Sequence, residues 1–470
     1  MLSDSVASRG RSAGVTKLAL LFFAKEKRGS EPLLAWPQYD FNPEERISEL
    51  IKESDRWVEL LGGDVVFTVK KWVKSHEDLR NVAEMSREFD GVVIYILTTS
   101  LNYKLFFSTV RELSKATVVF TEPYHSLAWP EISALVKEGR SILPVTSSDK
   151  SELIRAIKVL YSYVQLKRTK VLVVSTPSEL SLEKLHQSEI YAGDRAYSEE
   201  YFKKIKEVLN LEFVDYRELL KKFSEVDESE ARAIAKSLID RAYWVRDGIE
   251  IGDVVNGVKL YLAAKKLIEE KGATAFTIND FTIMLEDLNA LPATPCIAIT
   301  LLNDQGVPAA CEADLNSLIL QIIFKYLAGR PAWINDPVFD FKDGSVTYAH
   351  CTAPTKMAGY SSEGEPYAID IHDETGKPAA IRTKFKVGQV VTIAQISSDF
   401  KKLIIRRAEI ADVPIIELAC RTKVKTFAKN VEKMLWNYEA PLHRVMVYGD
   451  WIKELTYLAR LMNLNVVFEE

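Results

Sequence analysis

The sequence predicts an α/β protein with a doubly wound parallel sheet, a second α/β domain, and a β-rich carboxy-terminal domain of barrel or sandwich type. Three observations predict it. Short β-branched or aromatic runs alternate with amphipathic stretches through the first third. The alternation restarts after a basic segment at residues 167–170. Beyond about residue 339, glycine-punctuated runs with period-two alternation take over. At 470 residues the chain exceeds one compact core. Domains of roughly 100–200 residues divide it into three, 1–166, 167–338 and 339–470.

In the first domain, residues 17–23 read as a strand and 43–61 as a helix, with Asn42 as cap ahead of Pro43. Strands at 65–69, 91–97, 117–120 and 141–144, with helices at 76–88, 104–113 and 150–166, complete the set. Neither GxGxxG nor GxxxxGK[ST] follows the first strand, so that sheet lacks a phosphate loop. The second domain reads as a strand at 171–175, a helix at 199–209, a strand at 211–214 and a helix-rich stretch over 217–270. Buried strands are expected at 275–278, 296–301 and 331–334. A long helix at 314–327 ends at Gly329-Arg330-Pro331.

In the last domain Gly344, Gly359, Gly364, Gly376 and Gly388 separate runs such as 381–385, 389–396 and 402–409. The tail, 445–448, 451–461 and 465–468, returns to strand–helix–strand. It either stays with the β-rich domain or packs back on an α/β sheet.

Composition excludes several classes. The apolar and charged fractions, 47% and 27%, are those of a folded, soluble chain. With 61 basic and 66 acidic residues the net charge is −5, so nothing global argues for nucleic acid or an anionic membrane. No apolar run approaches the roughly 20 residues of a membrane helix. The run at 18–24 is closed off by Lys25, Glu26, Lys27 and Arg28, and reads as a buried strand rather than a signal peptide. Residues 1–14 read as a loose tail. The four cysteines, Cys296, Cys311, Cys351 and Cys420, contain no CxxC pair. They read as small core residues of a cytoplasmic protein that keeps them reduced.

Chemistry concentrates between residues 296 and 336. Glu312 and Asp314 sit where a helix begins, and Asp336 follows an apolar strand, at the sheet edge where open α/β folds bind ligands. Glu312 and Asp336 are 336 − 312 = 24 residues apart, one helix and one strand. Two adjacent carboxylates repel unless a cation or proton lies between them. Hard divalent ions favour such oxygens, often with a histidine nitrogen for Mn²⁺. The plainer alternative is that Glu312 and Asp314 only complement a helix N-terminus and Asp336 caps a turn. Of six histidines, His76, His125 and His186 read as surface residues. His350 follows the strand at 345–349, His372 lies in the polar loop 371–376, and His443 leads into the strand at 445–448. These residues nominate a metal site and leave its ligands open.

The motifs around these positions resemble the L-fucose isomerase and L-arabinose isomerase superfamily. They are Pro295-Cys-Ile-Ala, Ala310-Cys-Glu312-Ala-Asp314, Leu327-Ala-Gly329-Arg-Pro331-Ala-Trp-Ile-Asn-Asp336, Ala349-His350-Cys351-Thr352-Ala-Pro354 and His443-Arg-Val-Met-Val-Tyr448-Gly449-Asp450. The resemblance is strongest over 270–470. It implies two Rossmann-like α/β domains followed by a β-barrel-like domain, with an Mn²⁺ site (or another divalent metal such as Mg²⁺ or Co²⁺) at the junction of the last two.

By position, Glu312, Asp336 and His443 match the metal ligands of that superfamily, and Glu312 and Asp336 also match its proton-transferring pair. His350 matches the histidine after the first barrel strand, a metal ligand in the arabinose branch, with a supporting or substrate-facing role implied here, and His372 matches one that lines the substrate cleft. The implied activity is a metal-dependent aldose–ketose isomerase acting on a free pentose or 6-deoxyhexose through a cis-enediol(ate). Alternatives on the same fold are a non-catalytic sugar-binding or regulatory protein, or another enediolate reaction such as epimerisation. The resemblance also implies a homo-oligomer, trimer or hexamer, whose sites are completed by a neighbour. Trp36, Tyr39, Tyr124, His125 and Trp129 are candidates for that role.

Overall fold

The computed structural model describes residues 14–185 and 199–469. The tail at 1–13 and His186 lie outside the described residues. The chain is α/β, with two parallel sheets, a mixed three-stranded sheet and a larger seven-stranded sheet that contains antiparallel pairs. It divides into two compact units. One comprises residues 14–165 together with 453–465; the other comprises 166–452 and the final strand from 466.

In the first unit, strands β1 (Thr16–Phe23), β2 (Val65–Trp72), β3 (Gly91–Ile96), β4 (Ala116–Thr121) and β5 (Ile142–Thr146) form a parallel sheet in the order β2-β1-β3-β4-β5. β1 and β3 are buried along nearly their whole length. Helices on both faces require that, and their sequences are accordingly apolar runs rather than alternating ones. The helix Pro43–Leu60 starts where expected. Asn42 accepts from the Glu44 and Glu45 amides, and Pro43 occupies the first turn, whose N–H has no helical partner in any case. The helix Trp129–Lys137 was not expected from sequence. The helix Ile452–Leu461 belongs largely to this unit, where Glu454 meets Arg155 at 2.8 Å and Tyr457 donates to Glu152 at 2.8 Å.

The second unit contains β6 (Lys170–Ser175), β7 (Asn210–Asp215), β8 (Trp244–Val245), β9 (Ala275–Ile278) and β10 (Ala309–Ala310). Four of them pair in parallel in the order β10-β9-β6-β7. They are followed by β11 (Trp333–Asp340), β12 (Ser345–His350), β13 (Tyr367–Ile371), β14 (Pro378–Thr383), β15 (Val390–Ile396), β16 (Lys402–Glu409), β17 (Thr422–Phe427), β18 (Arg444–Tyr448) and β19 (Asn465–Phe468). The large sheet runs β17-β12-β11-β18-β15-β16-β19, and β14-β13-β8 forms the small one.

Two sequence expectations are corrected. Residues 296–301 are not a strand but the start of a helix, Cys296–Asp304, buried at almost every position. A short apolar run surrounded on all sides carries no amphipathic period, so helix and strand look alike in sequence. The strand expected at 331–334 begins at Trp333 and continues through Asp336 to Asp340, pairing antiparallel with β12 and β18. Asp336 therefore lies within an antiparallel sheet rather than at the carboxyl edge of a parallel one.

Candidate metal centre

Sheet register brings three of the predicted residues together. β11 lies between β12 and β18. Asp336 pairs with Ala349, the residue before His350, and Asn335 pairs with Arg444, the residue after His443. Continuing that register one step sets His443 opposite Asp336. Accordingly, His443 Nε2 is 3.2 Å from Asp336 Oδ1, and the His350 and His443 ring centroids are 5.1 Å apart.

Glu312 arrives from the parallel sheet. β10 ends at Ala310, and Glu312 and Ala313 both take left-handed backbone, with φ of 59° and 54°. Each such non-glycine residue costs about 1–3 kcal/mol and persists only where the surroundings hold it. Here the Asp280 carboxylate accepts the Glu312 N–H at 2.8 Å, and the Ile278 carbonyl accepts the Ala313 N–H at 3.0 Å. Both anchors come from the carboxyl end of β9. The turn delivers Glu312 Oε1 to 3.5 Å from His350 Nε2, and Oε2 to 4.0 Å from His443 Nε2.

Hydrogen bonds set the two histidines differently. His443 Nδ1 is 3.1 Å from Asp314 Oδ2. A carboxylate can only accept, so Nδ1 carries the hydrogen and Nε2 presents its lone pair towards Glu312 and Asp336. Asp314 does double duty, because its Oδ1 caps the helix Leu315–Leu327 by accepting the Ser317 N–H at 2.9 Å. His350 is the reverse case. The Cys351 backbone N–H donates to its Nδ1 at 3.0 Å, so in the neutral ring the hydrogen sits on Nε2 and points at Glu312.

The donor set fits a divalent cation. Donor atoms about 2.1 Å from a shared octahedral ion stand about 3 Å apart; Asp336 lies at that spacing from His443 Nε2, at 3.2 Å, whereas Glu312 stands further out, at 4.0 Å. Asp336 Oδ1 is buried and within 3.2 Å of His443 Nε2, yet makes no hydrogen bond. The distance alone reads as an ion pair. Two lone-pair atoms facing a common point explain both facts better than a contact between them. Asp336, His350 and His443 form one group with ligand atoms within 4.8 Å of one another; Cys311, Glu312 and His350 form a second. Cys311 Sγ lies 3.7 Å from His350 Nε2, a soft donor less suited to the hard ions that favour carboxylates.

Electrostatics follow from crowding of acids. Burial and the neighbouring Glu312 charge push the Asp280 carboxyl up to about 7. Burial works against a charged His350, but Glu312 and Asp336 outweigh it and hold its pKa above the ordinary value. A second proton there would have to displace the Cys351 N–H from Nδ1. Burial lowers the pKa of His372, whose Nδ1 is 3.0 Å from Thr375 Oγ1. His372 lies in the turn after β13, outside both groups of convergent donors.

The remaining expectations divide. Trp36, Tyr39, Tyr124 and Trp129 are exposed on the amino-terminal unit, where Trp36 and Tyr124 make an edge contact with centroids 6.4 Å apart. His125 Nδ1 is 2.9 Å from the Pro123 carbonyl. None of the four cysteines forms a disulfide among the described residues; Cys296 and Cys351 are buried with Ala380, with Cys420 packed against them. Sequence reasoning missed Asp280 and Asp314 as supports. Asp280 follows a buried parallel strand, the position that could have flagged it.

No known protein family's sequence profile matches the chain. Among curated proteins, it is 29% identical over 185 residues to the sulfoquinovose isomerase of Priestia aryabhattai, covering 38% of this chain and 40% of that one. It is 26% identical over 273 residues to the sulfoquinovose isomerase of Clostridium sp. (strain MSTE9), covering 55% and 58%. The sulfoquinovose isomerase of Alkalicoccus urumqiensis is 24% identical over 219 residues, covering 44% and 46%. The chain thus spans about two-fifths to three-fifths of the length of the curated relatives it matches. No helix among the described residues is long and apolar enough to cross a membrane.

Proposed function

We propose that this chain is a metal-dependent aldose–ketose isomerase acting on a free sugar, with Glu312, Asp336 and His443 as ligands of a divalent ion. The observation that carries the reading is the convergence of the two carboxylates on His443 Nε2, with Asp314 fixing the tautomer that leaves this nitrogen a ligand. The names of the three relatives point to the same reaction class. Such a site suits a reaction that moves a carbon-bound proton, because a pure binder has no need of a base.

When bound, Mn²⁺, or another divalent ion such as Mg²⁺ or Co²⁺, supplies Lewis acidity towards the carbonyl oxygen and its neighbouring hydroxyl. The rest falls to the chain. One of Glu312 and Asp336 takes the proton from the carbon beside the carbonyl, and the other serves the oxygen end, giving a cis-enediol(ate). His350, whose Nε2–H faces Glu312, would donate to a substrate oxygen held beside that carboxylate. The substrate class is a free aldose; sulfoquinovose heads the panel, beside pentoses and 6-deoxyhexoses. The same reading takes the two parallel sheets as Rossmann-like, the large sheet as barrel-like, and the active form as a cytoplasmic homo-oligomer, trimer or hexamer.

The test is to incubate the Mn²⁺-loaded chain with that panel in deuterated water. Label at the carbon next to the carbonyl, together with the isomeric ketose, supports the reading. Binding of sugar with neither label nor isomer contradicts it.

A further inference from the structure

The ladder that seats His350 has a second face. Lys423 follows Thr422, the ladder partner of His350, so its side chain leaves the sheet on the opposite side. There a cavity of about 20 Å³ is bounded by Tyr243, Arg382, Lys384, Arg421, Lys423 and the apolar turn at 413–415. Four of its described lining residues are cations, and none is an acid.

Burial makes that composition costly. Arg382, Arg421 and Lys423 are only 8%, 5% and 4% exposed, and a buried charge left uncompensated is strongly destabilising. The acids available are shared. Arg246 pairs with Oδ1 of the fully buried Asp370, Arg382 Nη1 lies 3.1 Å from its Oδ2, and Arg421 Nε lies 3.9 Å from Oδ1. Arg421 also meets Asp373 at 2.8 Å and Glu417 at 3.5 Å, while Glu417 serves Arg246 at 2.6 Å. Lys423 uses its three donors on carbonyls, those of Ile416, Ala419 and Cys420, at 2.9, 3.4 and 2.7 Å. Burial and the Arg421 charge lower its pKa. With the exposed Lys384, five cations (Arg246, Arg382, Lys384, Arg421, Lys423) share three carboxylates (Asp370, Asp373, Glu417).

One donor is also left over. Arg382 Nε is buried and, among the described residues, has no hydrogen-bond partner. The Trp244 ring covers the same guanidinium, with its centroid 4.9 Å away. A surplus of positive charge and an unmet N–H therefore belong to the residues around one cavity. Its size limits the occupant. A single water needs about 10–15 Å³ of such space, so the cavity takes one small species and no sugar, nucleotide or tetrahedral oxyanion. Water would answer the N–H and leave the charge; a monatomic anion answers both. Guanidinium groups are weakly hydrated, which eases their contact with a halide.

We propose that this cavity binds one chloride ion, held by Arg382 and by the charges of Arg421, Lys423 and Lys384. The ion joins the end of β14 to residues 413–423 and stabilises the folded chain by binding it. The site is separate from the isomerase reading and does not depend on it.

The experiment follows the ³⁵Cl NMR line width with the full chain, in EDTA and at ionic strength fixed with sodium gluconate. The wild-type chain is expected to broaden the chloride line saturably. Bromide should reverse the broadening, and sulfate at equal ionic strength should not. Lys384→Glu, at an exposed position, should weaken chloride binding about 10-fold or more by setting a negative charge at the mouth. A folded Arg382→Gln variant should abolish it. Exchange of gluconate for chloride should raise the urea midpoint of the wild-type chain, and raise that of Lys384→Glu less. Crystals soaked in bromide should show an anomalous peak in the cavity. Absence of saturable broadening overturns the proposal, as do equal affinity in Lys384→Glu and a cavity that holds only water in bromide. Sulfate that displaces chloride as readily as bromide overturns it too, since the cavity has no room for an oxyanion.

Discussion

The two parallel sheets of this protein are built alike and loaded differently. In the amino-terminal sheet the interior positions of β1, β3 and β4 are filled by residues such as Leu21, Ile94 and Val119, part of one apolar cluster. At the carboxyl end of β9 and β10, in the other unit, stand Asp280, Glu312 and Asp314, all at least partly buried. Burying unpaired acids costs several kcal/mol. The second unit offsets that cost with directed hydrogen bonds, from the Glu312 amide to Asp280 and between Asp314 and His443. The first sheet resembles a scaffold, whereas the second carries strain and charge in one place, as functional sites do.

Substitutions can break this contrast. The largest effect is expected at the two carboxylates. Glu312→Gln or Asp336→Asn should lower kcat for isomerisation by at least about 10²-fold, the low end for acid–base catalysis, with little change in melting temperature. Retained activity in either variant would remove that residue from the chemistry. Next comes Asp314→Ala, which frees the His443 tautomer and removes a helix cap. A calorimetric Mn²⁺ titration should show affinity weakened by about 10–100-fold.

Asp280→Ala removes the carboxylate acceptor of the part-buried Glu312 amide. It should destabilise the chain by about 1–3 kcal/mol in urea unfolding, whereas Asp280→Asn, which keeps an acceptor oxygen, should destabilise it less.

A pH effect distinguishes burial from site chemistry. Asp304 accepts from the Thr355 and Lys356 amides, and burial pushes its carboxyl up to about 6. Because the folded pKa lies above the unfolded one, near 3.8, the fold holds this proton more tightly. Its contribution is full below the unfolded value and is lost as pH rises through about 6. Asp304→Asn should flatten the stability profile between those limits, as read by urea unfolding across pH. In the amino-terminal unit, Asn42→Ala should cost only about 1 kcal/mol, and leave Mn²⁺ affinity untouched.

Much of this was legible in the sequence, for identifiable reasons. The helix at 43–61 is legible through Asn42, Pro43 and an amphipathic period; Asp314 is legible as the start of an apolar helix, but not as the partner of His443. The convergence of Glu312, Asp336 and His443 was legible only through motif resemblance, since nothing in the local pattern fixes a β11–β18 register. The helix at Cys296–Asp304 was misread because a run buried on all sides has no face to reveal its period. The left-handed backbone at Glu312 was not legible, because nothing in its side chain favours that conformation. Asp280 was hidden for a related reason, being 32 residues away in sequence and joined to Glu312 only by folding.

The central claim is that Glu312, Asp336 and His443 hold one divalent ion. Electron paramagnetic resonance of Mn²⁺ tests it most directly, because the aqueous signal is lost as the ion binds. The account predicts stoichiometric loss, one ion per chain, abolished in the combined variant Glu312→Gln, Asp336→Asn and His443→Gln. An undiminished Mn²⁺ signal with the wild-type chain, or equal binding by the combined variant, would contradict it.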